Sequence, residues 1–154
     1  MIQDVIKTNI ATHNDDRGFF REIFRFKENF NNIEVGQLSH SLAKEQVVKG
    51  WHGHFYQHQW NYIISGSAKI TLYDDRKNSP TYESIDTFII DGENNSIGYY
   101  FPPGVLHGYR CISGPMNIIY VTSGKYDLDD ELRKEITYRD LNKTLDYYFL
   151  CLFI

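Results

Sequence analysis

Lys49-Gly50-Trp51-His52 and, far downstream, Phe101-Pro102-Pro103-Gly104-Val105-Leu106-His107-Gly108 decide how this chain reads. Each is an apolar, glycine-punctuated run that delivers one histidine. Glycine and proline beside a histidine at the lip of a strand suit a rigid turn that aims the imidazole. Two such runs in separate parts of the chain point to one cavity in an all-β fold, with His52 and His107 both facing it. Histidine titrates near neutral pH, so it serves as a general base or as a metal ligand.

The rest of the chain supports many short strands. Along residues 19–26, Phe20, Glu22, Phe24 and Phe26 share one parity, while Arg21, Ile23 and Arg25 share the other. Residues 60–72 read as two strands joined at Ser65-Gly66-Ser67, and 74–80 as a turn rich in Asp, Asn, Ser and Pro. Residues 87–90, 97–101 and 116–121 are further short strands, punctuated by Gly92, Asn94, Asn95, Gly114 and Pro115. Strands at this spacing predict a sandwich or barrel. Helix is expected only near the C-terminus, over 129–134 and in the tail after Thr137. Asp127, Asp129 and Asp130 would suit a helix N-terminus, and 129–133 reads as a solvated helix face.

A chain of 154 residues fits one domain spanning 1–154. Aromatics make up 16% of it, mostly Tyr and Phe, which favour strands and line polar cavities. The net charge of −4 comes without a basic patch, which argues against a nucleic-acid partner. A phosphate-bearing small ligand needs only a few local cations. Cys111 and Cys151 form no CxxC pair and no disulfide framework, and read as free thiols. The N-terminus lacks a signal-like apolar run, and no segment is long and apolar enough to span a membrane. The apolar run 147–154 is expected to pack on the barrel or at a subunit contact. A cytoplasmic protein is the expectation.

His52 and His54 form an H-x-H pair on one strand face. With Gln59, Gly66, Pro102, Gly104 and His107 they resemble the two motifs of the cupins. In metal-binding cupins the position of Gln59 holds a glutamate, and a neutral amide is a poor ligand for a divalent metal. The expectation is therefore a cupin fold with neither metal nor cofactor; a metallo-cupin is the alternative. His13, His40 and His58 read as surface or turn histidines.

Residues 12–140 also resemble the dTDP-4-dehydrorhamnose 3,5-epimerase family, nucleotide-sugar epimerases of the cupin class. Asp16-Arg17-Gly18-Phe19-Phe20-Arg21-Glu22 resembles that family's first strand motif, and Gln37 and Ser41 its Q-x-N-x-S stretch, with Ser39 for Asn. Lys49-Gly50-Trp51-His52 resembles R-G-L-H, with Lys49 for Arg. Residues 74–81 resemble D-L-R-x-x-S-P-T, and 102–108 resemble P-x-G-x-x-H-G. Tyr120 and Tyr126 follow His107 at the family's spacing.

The resemblance implies a cupin jelly roll that forms a homodimer. It implies a substrate in which a dTDP-linked 4-keto-6-deoxy sugar is epimerised for deoxysugar or surface polysaccharide synthesis. His52 would abstract the proton beside the ketone, and Tyr120, a phenol protonated at neutral pH, would return one on the opposite face. Arg17, Phe20, Glu22, Gln37, Ser41, Lys49, His54, Gln59, Asn61, His107 and Tyr126 would bind substrate, with Arg17 on the diphosphate and Phe20 on the base. The family places an enolate-stabilising lysine where this chain has Asn61, which offers a neutral donor only. It supports its histidine with an aspartate near a longer C-terminus; here Asp140 or Asp74 would have to serve.

Two other readings stand beside this one. The H-x-H pair, Gln59 and residues 126–133 also resemble the sugar 3,4-ketoisomerases of the same superfamily. A non-catalytic cupin that holds a nucleotide sugar is favoured by the missing lysine and opposed by His52 and Tyr120.

Overall fold

In a computed structural model, residues 1–26 and 33–134 are described. They form ten strands: β1 (Ile6–Asn9), β2 (His13–Asp15), β3 (Gly18–Phe20), β4 (Gln37–Ala43), β5 (Val48–His54), β6 (Gln59–Asp74), β7 (Ile85–Asp91), β8 (Ile97–Phe101), β9 (Val105–Thr122) and β10 (Glu131–Arg133). Strands β2 and β3 make a separate hairpin. The others form one antiparallel system in the order β1-β8-β6-β9-β5-β10, with β4 added to β9 and β7 added to β6.

Two long strands fold this system into a roll. The first half of β6 pairs with β8 and its second half with β7. Strand β9 runs beside β6 along nearly its whole length. On its other side, β9 takes β5 in its first half and β4 in its second. The bend falls where the β6–β9 register shifts, between Ile63 and Ala68. Gly66 makes it possible: its φ is +78°, and a Cβ there would lie 2.6 Å from the Ser113 carbonyl oxygen. Residues 60–72 are thus one bent strand, not two strands joined by a turn. The ladder loses only a few pairs at these shifts and resumes at Ser67, so the backbone stays in the sheet.

The core lies between the folded halves. Ile63, Ile70, Leu72, Ile90, Val105 and Met116 are almost fully buried there, each contributing about 1.5–3 kcal/mol of apolar burial. Trp51 and Leu106 pack a second cluster with Val48, Tyr73 and Leu132. Gly53 lets β5 lie close to β9; a Cβ there would meet Leu106 Cδ2 at 2.9 Å.

The all-β expectation holds, but its helical C-terminal part does not. Residues 128–130 form a single 3-10 turn, and Glu131–Arg133 is a strand paired with β5. Leu132 enters the Trp51 cluster while Glu131 and Arg133 face the other way, a period of two that sheet pairing favours over helix. The tail after Thr137 lies outside the described residues. Along 19–26, strand pairing stops at Phe20.

Asp74 has a structural task. Fully buried at the end of β6, it accepts hydrogen bonds from Arg76 Nε at 2.8 Å and from Ser79 Oγ and Thr81 Oγ1 at 2.6 Å each. Burial opposes its charge, but these donors prevail and hold its carboxyl far below the usual range. The Asp-Arg-Ser-Thr motif clasps the loop after β6, and this commits the Asp74 carboxylate to the loop and not to His52. Asp140, the other sequence candidate, lies outside the described residues.

Candidate active site

A cavity of about 540 Å³ opens between the folded halves of the roll. Strand β5 lines it with Lys49, His52 and His54, and β6 with Gln59 and Asn61. Strand β9 adds His107, Tyr109, Tyr120 and Thr122, and β4 adds Gln37 and Ser41. Tyr126, Asp127, Glu131 and Arg133 close it from the C-terminal side. Near the histidines alternation sends His52 and His54 inward and Trp51 into the apolar cluster, while a register shift between Lys49 and His52 puts Lys49 on the cavity despite its opposite parity.

The three histidines meet as the two opening motifs require. His52 lies directly across from His107 in the β5–β9 pair. Their ring centroids are 5.2 Å apart, and those of His52 and His54 are 4.7 Å apart. All three titrate below the ordinary histidine value. Burial is the main cause at each, and the neighbouring imidazoles add to it at His52 and His107. The effect is greatest at His107. At neutral pH the cluster is therefore uncharged, and His52 has a free lone pair with which to take a proton.

Two carboxylates that the sequence reading left on a solvated helix stand against these rings. Glu131 Oε1 is 3.7 Å from His52 Nε2. Asp130 Oδ2 is 3.4 Å from His54 Nδ1. Asp130 is buried and also accepts the backbone N–H groups of Tyr56 and Gln57. Arg133 reaches the second oxygen of Glu131 at 2.5 Å. No local signal marks these carboxylates: one apolar residue between Glu131 and Arg133 fits helix and strand alike, and pairing with β5 decides it.

On β6, Gln59 Nε2 donates to Asn61 Oδ1 at 2.7 Å, and both residues are buried. Tyr120 pairs with Asn61 across the β6–β9 ladder and with Ser39 across the β4–β9 ladder. Gln37 donates to Ser39 Oγ and accepts the Tyr126 backbone N–H, which ties the C-terminal wall to β4. Among the described residues, no group of three or more His, Cys, Asp or Glu side chains is arranged to hold a metal ion.

Three residues expected at the site are not in this cavity. Arg17 and Phe20 sit on the β2–β3 hairpin, 83% exposed at the Arg17 side chain and 65% exposed at Phe20. Arg17 pairs with Asp15 at 2.6 Å, and Glu22 pairs with Arg25. His13, in the same hairpin, is exposed; His40 bonds Asn117, and His58 bonds the Tyr100 hydroxyl, all outside the cavity.

The sequence profile described as dTDP-4-dehydrorhamnose 3,5-epimerase matches residues 1–151. The chain belongs to the dTDP-4-dehydrorhamnose 3,5-epimerase family. It is 37% identical over 141 residues to the spore coat polysaccharide biosynthesis protein SpsL of Bacillus subtilis, covering 91% of this chain and 92% of that protein. It is 32% identical over 140 residues to the probable low-salt glycan biosynthesis epimerase Agl13 of Haloferax volcanii, covering 89% and 88%. Among solved structures, the 3'-monoepimerase ChmJ of Streptomyces bikiniensis, in complex with dTDP-quinovose, superposes with a TM-score of 0.83. That match has 22% identity and covers 91% of this chain and 74% of ChmJ, so it speaks for the fold. The epimerase family and the jelly-roll architecture expected from the sequence are thereby established. No helix among the described residues is long and apolar enough to cross a membrane.

Proposed function

We propose that this epimerase acts on a dTDP-linked 4-keto-6-deoxy sugar, with His52 as the base and Tyr120 as the acid. The observation that carries this reading is the neutral histidine cluster in one cavity with Tyr120, which β9 places beside Asn61. The carbonyl acidifies the adjacent C–H. His52 takes that proton, and the electrons move into the C–C–O system as an enolate. Tyr120 returns a proton to the same carbon from the opposite face, which inverts it. Glu131 orients the His52 ring and stabilises the imidazolium that forms. Asn61 supplies a hydrogen bond to the enolate oxygen, and Lys49, Gln37, Ser41 and Tyr126 hold the rest of the ligand. Family relatives named for coat polysaccharide and glycan synthesis support a place in the building of a surface glycan.

Arg17 and Phe20 lie outside the cavity, and we assign them to the nucleotide end of a ligand bound by a second copy of the chain. Exposed aromatics on the hairpin and an edge of β4 without a partner strand among the described residues, with Leu38 and Leu42 exposed, support a homodimer. The free, buried Cys111 fits a reducing, cytoplasmic setting.

Deuterium wash-in on a dTDP-linked 4-keto-6-deoxyhexose in D₂O, followed by proton NMR, tests the reading. His52→Ala should lower exchange next to the ketone by about 10²–10⁴. Tyr120→Phe should leave exchange on the His52 face while inversion fails. Unchanged exchange in His52→Ala would reassign the base.

A further inference from the structure

The second histidine of the H-x-H pair has surroundings unlike those of the first. His54 is about 9% exposed, and its Nδ1 faces the buried carboxylate of Asp130 at 3.4 Å. Burial lowers the titration of this ring, while Asp130 and Gln59 both favour its protonated form. Gln59 is buried in turn and donates from Nε2 to Asn61 Oδ1 at 2.7 Å. Asn61 is 2% exposed and lines the cavity. Its Oδ1 is taken by Gln59, while its Nδ2 has no partner among the described residues. Buried side-chain amides are normally satisfied, because a stranded donor is costly. A bound acceptor would restore the missing bond.

We propose that Asp130, His54, Gln59 and Asn61 form one buried relay that fixes the Asn61 amide with its N–H groups turned to the substrate. An isolated asparagine can flip and offer either its oxygen or its nitrogen. Here the Gln59 N–H occupies the oxygen, and the chain behind Gln59 ends on a carboxylate anchored by two backbone N–H groups. Asn61 is the catalytic donor to the developing oxyanion. Asp130, His54 and Gln59 are positioning residues. The preset donor does not have to reorient when charge develops, which is where such donors gain most of their effect. His54 is then neither a second base nor a metal ligand.

This inference rests on the epimerase reading above, and two arms of one experiment separate them. The first uses the full-length protein without substrate. The Asn61 side-chain amide is identified in a ¹⁵N–¹H NMR spectrum as the pair of signals lost in Asn61→Asp. Asp130→Asn is expected to shift that pair. The Asn117 pair, whose Nδ2 donates to Ser65 Oγ at 3.1 Å, is expected to stay. Gln59→Leu, which interrupts the relay without touching the Asp130 turn, should shift it too. An Asn61 pair that ignores both variants overturns the relay. The second arm follows deuterium wash-in on a dTDP-linked 4-keto-6-deoxyhexose. Gln59→Glu removes the donor to Asn61 Oδ1, so Asn61 turns its own N–H groups toward residue 59. The expected loss approaches that of Asn61→Ala, about 10²-fold. The double variant should be no slower than Asn61→Ala alone, because both changes remove the same interaction. Losses that multiply overturn the proposal. A parent protein that leaves the sugar unexchanged refutes the epimerase reading, and the first arm still decides the relay.

Discussion

Glu131 Oε1 stands 3.7 Å from His52 Nε2, yet the residue directly across the β5–β10 pair from His52 is Arg133. Glu131 lies opposite His54 and reaches diagonally to His52. Arg133 holds its other oxygen, so the carboxylate cannot swing away without breaking an ion pair. On the proposed reading, this three-residue strand supplies the carboxylate that supports His52.

Glu131→Gln should keep the fold and slow deuterium wash-in. The carboxylate favours protonated His52, opposing burial and the His54 charge that lower it. Its removal therefore pushes the His52 titration further down, and the acid limb of the exchange profile should move to lower pH. Glu131→Asp should recover part of the rate. An acid limb that stays in place in Glu131→Gln would separate Glu131 from the base.

The histidine cluster also makes folding stability depend on pH. His52, His54 and His107 all titrate below the ordinary value of 6.5. The unfolded chain therefore takes up these protons first as pH falls, and stability falls with it. The contribution is complete above about pH 6.5 and is lost as pH drops through the folded values. Urea midpoints at about pH 7.5 and about pH 5.5 should show the loss. Replacing the most buried ring, His107→Gln, should flatten the difference even if it lowers both midpoints. A parent midpoint that does not change across this window would show that the cluster is not held neutral.

Chelator treatment followed by dialysis should leave wash-in at full rate. Gln59, in the position where metal-binding cupins carry a carboxylate, is committed to Asn61. Asp130 and Glu131 are committed to backbone N–H groups and to Arg133. Stoichiometric iron, manganese or zinc whose removal abolishes exchange would turn the three histidines into ligands.

Much of this was legible in the sequence because it was local. The glycine-flanked histidine runs predicted His52 and His107 in one cavity, and parity alone put His54 beside His52. The strand at Ile97–Phe101 was read with its observed bounds, since turn residues flank it on both sides. What escaped depended on distant pairing. Nothing local to residues 60–72 reveals that β9 runs past Gly66 and keeps both halves in one sheet. Asp127, Asp129 and Asp130 mimic a helix start, and only pairing of Glu131–Arg133 with β5 brings Asp130 and Glu131 against the histidines. The task of Asp74 was local, since its partners Arg76, Ser79 and Thr81 lie in the loop that it holds; its charge alone made it a candidate to support His52.

Arg17 and Phe20 give the remaining test. The hairpin holds them out to solvent, with Arg17 tied to Asp15 and, at 4.0 Å, to Asp16. A guanidinium whose partners are exposed carboxylates can exchange them for a diphosphate at little cost, because exposed ion pairs are weak. A diphosphate offers charge-assisted, often bidentate bonds in return. The Phe20 ring on the same hairpin would stack on the nucleotide base. Calorimetry with free dTDP isolates this end of the ligand from the sugar chemistry. Arg17→Ala should weaken binding by about 10- to 100-fold, the range of a lost charge-assisted contact. Phe20→Ala should weaken it less and reduce the negative heat-capacity change, since it removes apolar burial. If the hairpin serves a neighbouring copy, dilution below the dimer dissociation range should mimic both variants in the parent protein. Binding that survives both substitutions and dilution would place the nucleotide elsewhere and detach the hairpin from the site.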